Sequence, residues 1–169
     1  SVRQRMLEPG YGYVRISSFQ AGTATDFEQA LGKLNAEAGG RRKGLVLDLR
    51  RNPGGLLPSA VRIDDELMDT GVIVSTRGRL KGGDTSFSAT PGDLMAGGPV
   101  VVLIDAGSAS ASEVLAGALQ DSRRARLVGS RRVSAARRRI PSRSIVSRAA
   151  RAVGMTRTTP SASSACSSA

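Results

Sequence analysis

Gly107-Ser108-Ala109-Ser110-Ala111-Ser112-Glu113 follows the apolar run Val100-Val101-Val102-Leu103-Ile104 and opens a segment of helical character from Ser112 to Gln120. A buried strand that ends in small residues can bend sharply, and the first turn of the following helix offers N–H groups with no intrahelical acceptor. Negative charge is stabilised at such an end. An exposed hydroxyl beside those amides is what acyl transfer needs, because the amides can hold an oxyanion. Read on its own, the run fits a simple helix cap better, with Ser108, Ser110 or Ser112 accepting from the backbone.

A second stretch, Asp48-Leu49-Arg50-Arg51-Asn52-Pro53-Gly54-Gly55, ends another apolar run, Gly44 to Leu49. Glycines at the carboxyl end of a strand let a backbone N–H approach a ligand closely, although Pro53-Gly54-Gly55 also describes an ordinary strand-to-helix turn. Asp48 sits inside an apolar strand, so its carboxylate demands a partner, and Arg50 or Arg51 can supply one.

Taken together, Gly-Ser-Ala-Ser-Ala-Ser-Glu and the upstream Asp-Leu-Arg-Arg-Asn-Pro-Gly-Gly resemble the C-terminal processing peptidases, also called tail-specific proteases. Gly10-Tyr11-Gly12-Tyr13-Val14-Arg15-Ile16 and Ala89-Thr90-Pro91-Gly92-Asp93-Leu94 add to the likeness, which runs from about Val2 to Gly129. The resemblance implies an α/β catalytic core like that of the Clp protease and crotonase families. It also implies a Ser-Lys endopeptidase that cuts near protein C-termini, with Ser110 as nucleophile and no cofactor or metal. Gly54 or Gly55, together with the N–H of Ala111, would form the oxyanion hole. The family implies a periplasmic or cell-envelope setting, with a signal or anchor and a peptide-binding PDZ domain upstream. A chain beginning Ser1-Val2-Arg3-Gln4-Arg5 is accordingly expected to be a fragment of a longer protein, and membrane association would come through such upstream segments.

In that family a general-base lysine lies about 25 residues after the nucleophile, in a Phe-Gly-Lys-Gly sequence. Here Ala135 stands at that position, Arg139 stands where a glutamine usually follows, and no lysine occurs after Lys81. A Ser-Lys scheme needs a desolvated amine that can lose its proton, and a guanidinium cannot take that role. Arg131, Arg132 and Arg137 are therefore no substitute, and Lys33, Lys43 and Lys81 occupy other parts of the pattern. The sequence yields a nucleophile without a base, so this chain is expected to be inactive. A non-catalytic peptide-binding or regulatory protein is the alternative.

Composition changes at the same place. Residues 1–130 carry 16 Lys+Arg and 14 Asp+Glu, whereas residues 131–169 carry nine arginines and no acid, so the formal +11 belongs mostly to the tail. Arg, Ser and Ala account for 26 of its 39 residues, and it lacks Leu, Phe, Tyr and Trp. Such a segment can bury little apolar area against its ordering entropy, and disorder is the expectation. An out-of-frame continuation beginning near Arg131 or Arg132 would have the same composition. Without aromatic residues among the arginines, no specific nucleic-acid partner is indicated. The absence of histidine excludes a Ser-His-Asp triad and His-based metal sites, and a single cysteine, Cys166, excludes an intrachain disulfide.

About 130 residues suffice for one core, and the pattern alternates in type. Strands are expected at Gly12–Ser17, Gly44–Leu49, Val72–Val74, Val100–Ile104 and Arg126–Gly129, with a loop at Lys81–Asp84. Thr25-Asp26-Phe27-Glu28 reads as a capping box for a helix with Phe27, Leu31, Leu34 and Ala38 on its inner face. A second helix is expected over Pro58–Asp69, with Val61, Leu67 and Met68 inward. This alternation predicts an α/β core over residues 1–130, followed by the basic tail over 131–169, and the resemblance implies that Ser110 and Gly54-Gly55 meet at the carboxyl ends of neighbouring strands. The family's remaining strands would follow Gly129, so the incomplete sheet is expected to expose an edge.

Overall fold

The computed structural model describes residues 1–40, 42–76 and 85–129. The expected Lys81–Asp84 loop, Ala135, Cys166 and the 131–169 tail lie outside the described residues.

Ten elements follow one another: β1 (Val2–Glu8), β2 (Tyr11–Ile16), α1 (Thr23–Glu37), β3 (Gly44–Asp48), α2 (Leu57–Leu67), β4 (Val72–Thr76), β5 (Thr85–Ser88), β6 (Val100–Ile104), α3 (Ala111–Asp121) and β7 (Ala125–Gly129). The main sheet has the order β1-β2-β3-β6-β7, and β4 and β5 form a separate antiparallel pair. β2, β3, β6 and β7 run parallel, and β1 lies antiparallel to β2. The fold is the expected α/β architecture with a parallel-dominated sheet.

Each parallel step moves in the same direction across the sheet, so crossovers of the usual right hand place their helices on one face. The core bears this out. Val14, Ile16, Leu45, Leu47, Val100, Val102 and Ile104 share one cluster with Phe27, Leu31 and Leu34 of α1, Ile63 and Leu67 of α2, and Leu115 and Leu119 of α3. The alternate strand residues Val46, Val101 and Leu103 point to the other face and are buried as well. β6, and β3 up to Asp48, are therefore apolar, as parallel strands covered on both sides must be.

Three local expectations are corrected. β1 was not anticipated: its alternation of Val2 and Met6 with Arg3, Arg5 and Glu8 is that of a polar edge strand, which periodicity separates poorly from loop. α1 begins at Thr23 behind Gly22, with no side-chain cap, so Thr25 is not the start of a capping box. The Thr23 hydroxyl oxygen instead accepts the Gln20 N–H at 2.8 Å, closing the turn that leads into the helix. The inner face of α2 is Ala60, Ile63, Asp64 and Leu67, while Val61 is only partly buried.

Candidate active site

Adjacent parallel strands deliver their carboxyl ends to one place. The register of β3 against β6 sets Asp48 beside Leu103, and the two chains then turn together into α2 and α3. The turns are stitched to each other. Leu49 N–H donates to the Leu103 carbonyl (2.8 Å), Ala109 N–H to the Asn52 carbonyl (3.0 Å), and Arg51 N–H to Asp105 Oδ1 (2.9 Å).

Three serines compete for a chemical role in the second turn, and their surroundings separate them. Ser108 and Ser112 are buried, and their hydroxyls donate to the Leu49 carbonyl (2.8 Å) and the Asn52 carbonyl (2.9 Å). Both are clamps. Ser110 is exposed at the N-cap of α3, where it shares a capping box with Glu113 whose carboxylate accepts the Ser110 N–H at 3.0 Å. Capping alone asks for an extended backbone, whereas Ser110 has φ 54° and ψ −118°. That region costs a side-chain-bearing residue roughly 1–3 kcal/mol and persists only where the surroundings over-determine it.

Gly54 and Gly55 meet this strained residue from the other turn. A methyl group placed on Gly54 would stand 2.8 Å from the Ala109 carbonyl oxygen, 2.8 Å from Ser110 Cβ and 3.0 Å from the Ala111 nitrogen. Only hydrogen fits there. Gly55 has φ 136° and packs against the Phe19 backbone. Phe19 N–H donates to the Gly54 carbonyl and Leu56 N–H to the Phe19 carbonyl, each at 2.9 Å. In a trans peptide C=O and N–H point in opposite directions, so a Gly54 carbonyl aimed at Phe19 sends the Gly55 N–H away from it. Gly54 N–H is already donated to Asn52 Oδ1 at 2.9 Å. Among the described residues, the amides of Gly55 and Ala111 have no acceptor.

Two carboxylates brace the surroundings. Burial pushes the Asp105 carboxyl up, but the N–H groups of Arg51 and Gly107 outweigh it and hold the group below the usual carboxylate range. Asp48 is fully buried and takes hydrogen bonds from Tyr13 Oη (2.6 Å) and from Arg50 Nη2 (2.6 Å) and Nε (2.9 Å), with Arg15 Nη1 at 3.2 Å. Arg50 is thus the partner that the sequence left open between two arginines, with Arg15 as a second one, while the Arg51 backbone N–H goes to Asp105. Desolvation raises the Asp48 carboxyl, and the bonds from Arg50 and Tyr13 bring it below the ordinary value. Its salt bridges anchor the strand end rather than reach the serine.

No lysine accompanies the hydroxyl among the described residues: Lys33 is exposed on α1, and Lys43 precedes β3, at the end of the strand remote from the turn. No His/Cys/Asp/Glu group there could hold a metal ion, and no helix is long and apolar enough to cross a membrane. Sequence reasoning offered Ser108 and Ser112 only as helix caps and missed the structural role of the Asn52 side chain, although an Asn two residues before a glycine is a turn signal.

Known proteins resemble this chain over most of its length. The profile of peptidase family S41 matches residues 10–156. A carboxy-terminal-processing protease of Bartonella bacilliformis is 46% identical over 124 residues, which are 73% of this chain and 29% of that protein. A carboxyl-terminal-processing protease of Synechocystis sp. is 44% identical over 118 residues, 70% of this chain and 26% of that protein. Among solved structures, a photosystem II D1 C-terminal processing protease superposes with a TM-score of 0.62 at 34% identity, covering 75% of this chain and 35% of the other. The chain spans less than a third of the length of these curated relatives. With the family match running from residue 10 to residue 156, the chain belongs to peptidase family S41.

Proposed function

We propose that the Ser110 hydroxyl is the nucleophile of a serine endopeptidase of the C-terminal processing type, and that the Gly55 and Ala111 amides are its oxyanion donors. The observation that carries the reading is the positive φ of exposed Ser110 against Gly54, with the amides of Gly55 and Ala111 lacking an acceptor among the described residues. The hydroxyl oxygen would attack the scissile carbonyl, the carbonyl oxygen would take up negative charge between the two amides, and the amine fragment would leave an acyl-enzyme for water to hydrolyse. Gly54 contributes closeness rather than a donor, since its amide belongs to Asn52. The substrate would be a peptide or protein C-terminus, handled in a periplasmic or cell-envelope setting.

The base is the missing part. With Ala135 at the family's lysine position, nothing in the sequence takes the hydroxyl proton, and this chain is read as catalytically silent. That same absence favours a second reading, a peptide-binding or regulatory protein that has kept the groove without turning over. A fluorophosphonate probe separates them. Labelling that vanishes in Ser110→Ala supports a nucleophile awaiting its base. Peptide binding with no labelling favours the non-catalytic protein.

A further inference from the structure

We propose that Asn52 is the positioning residue of this site, its side chain fixing the glycine turn and thereby aiming the Gly55 N–H at the oxyanion; the inference rests on the reading of Ser110 as nucleophile. Asn52 is fully buried at the centre of three segments. Its Nδ2 donates to the Ile16 carbonyl (3.0 Å) at the end of β2, and its Oδ1 accepts the Gly54 N–H (2.9 Å). Its own carbonyl accepts both the Ala109 N–H (3.0 Å) and the Ser112 hydroxyl (2.9 Å) of the serine turn, and its N–H closes onto the Leu49 carbonyl (3.1 Å).

Burying a primary amide is costly unless its bonds are made, and here the side chain makes both: it ties the end of β2 to the glycine turn, while the Asn52 backbone carbonyl ties that turn to the serine turn. The consequence falls on one peptide plane. Asn52 holds the Gly54 N–H and Phe19 holds the Gly54 carbonyl, so both polar groups of Gly54 are fixed. The Gly54–Gly55 peptide then has little freedom to rotate, and the Gly55 N–H stays where it points. Without the side chain, two glycines in a row would let that plane flip. Asn52 touches neither substrate nor the reacting atoms; it acts through Gly54.

The test compares two ligands on the full chain: a labelled peptidyl boronic acid, which forms a tetrahedral adduct with the serine and needs the oxyanion donors, and the same peptide ending in a carboxamide, which does not. Fluorescence anisotropy reads both affinities. Asn52→Leu, close in size but unable to hold Gly54, is expected to weaken the boronate by about tenfold or more while the carboxamide changes by less than about twofold. Asn52→Asp keeps the acceptor for Gly54 and is expected to recover most of the loss. Equal weakening of both ligands, or an unchanged boronate affinity in folded Asn52→Leu, overturns the inference. Should Asn52→Leu not fold, Asn52→Ser carries the comparison, with selective loss of the boronate expected and an equal loss overturning it. If the unaltered chain binds the carboxamide and gains nothing from the boronate, or if its gain survives in Ser110→Ala, the nucleophile reading falls and the inference falls with it.

Discussion

The α-carbon of Gly54 approaches Ser110 so closely that a single added methyl group would stand 2.8 Å from Ser110 Cβ. Two turns separated by more than fifty residues of chain are thus in contact through a hydrogen atom. Gly54 also has φ 101°, so Gly54→Ala combines a backbone clash with a conformation that alanine resists. We expect a loss of about 2–4 kcal/mol in urea unfolding. A variant as stable as the parent would show that the turns can part cheaply.

Strain at Ser110 makes a prediction of opposite sign. Replacing it by glycine relieves a positive φ worth roughly 1–3 kcal/mol, while exchanging a serine cap for glycine costs only a few tenths. Ser110→Gly should therefore be more stable than the parent by about 1 kcal/mol or more in chemical denaturation, and should lose any reaction with a serine-directed probe. A less stable Ser110→Gly chain would mean that the torsion is not strained in this setting.

Asp48 should matter most at the acid end. Its carboxyl lies below the usual range when folded, so its contribution is complete above the ordinary carboxylate value near 4 and fades as pH falls toward the folded value. Asp48→Ala leaves Tyr13 and Arg50 without their acceptor and is expected to cost about 3 kcal/mol at pH 7. The deficit relative to the parent should shrink on acidification, as measured by unfolding curves from pH 7 to pH 3.

Asp64 and Glu66 on α2 work in the other direction. Both oxygens of fully buried Asp64 and the buried Oε2 of Glu66 lack a partner among the described residues. Burial drives Asp64 well up and lifts Glu66 to about 7 against the pull of Arg62. The folded state then holds protons that the unfolded chain has released, so stability should fall with rising pH, for Glu66 between about 4.5 and about 7. Each group can contribute a slope of at most about 1.4 kcal/mol per pH unit. Asp64→Ala should be more stable than the parent at pH 8, with a smaller difference at pH 4; an equal difference at both values would rule out a neutral Asp64.

The coding DNA tests the reading of the arginine-rich segment. Translating the two other forward frames beyond the Gly129 codon should yield a Phe-Gly-Lys-Gly-like sequence with its lysine about 25 residues past Ser110. A chain restored to that frame should cleave peptides in a Ser110-dependent way, since the amine would be back in reach. If neither frame contains it, a diverged chain without a base is the better account.

Much of this molecule was legible in its residues because the decisive signals are local. Val100–Ile104 and Gly44–Asp48 are buried on both faces and read as apolar runs, broken only by Asp48, so periodicity found them directly. The start of α1 was misplaced because Thr25 and Glu28 carry a capping pattern, whereas the Thr23 hydroxyl oxygen takes the Gln20 N–H one turn earlier. Roles fixed by long-range bonds could not be read. Ser108, Ser110 and Ser112 are chemically alike in sequence, and only the carbonyls of Leu49 and Asn52, brought in from another strand, distinguish the clamps from the exposed hydroxyl. The same holds for Asp48, whose choice of Arg50 over Arg51 depends on the backbone turning at Arg51, where φ is 57°.

The path of the chain between α2 and β6 has a practical side. That connection returns to the end of the sheet where the strands begin: Arg42, just ahead of β3, reaches the Leu94 carbonyl, and Arg124, just ahead of β7, grips Asp93 at 2.8 Å and the Gly98 carbonyl at 2.8 Å. Ser110 and Gly54 stand at the opposite end, where the strands finish. Length can therefore be added between β4 and β5, provided that Ile73 of β4 keeps its place in the core, which makes this stretch the natural place to graft a reporter or accommodate an insertion.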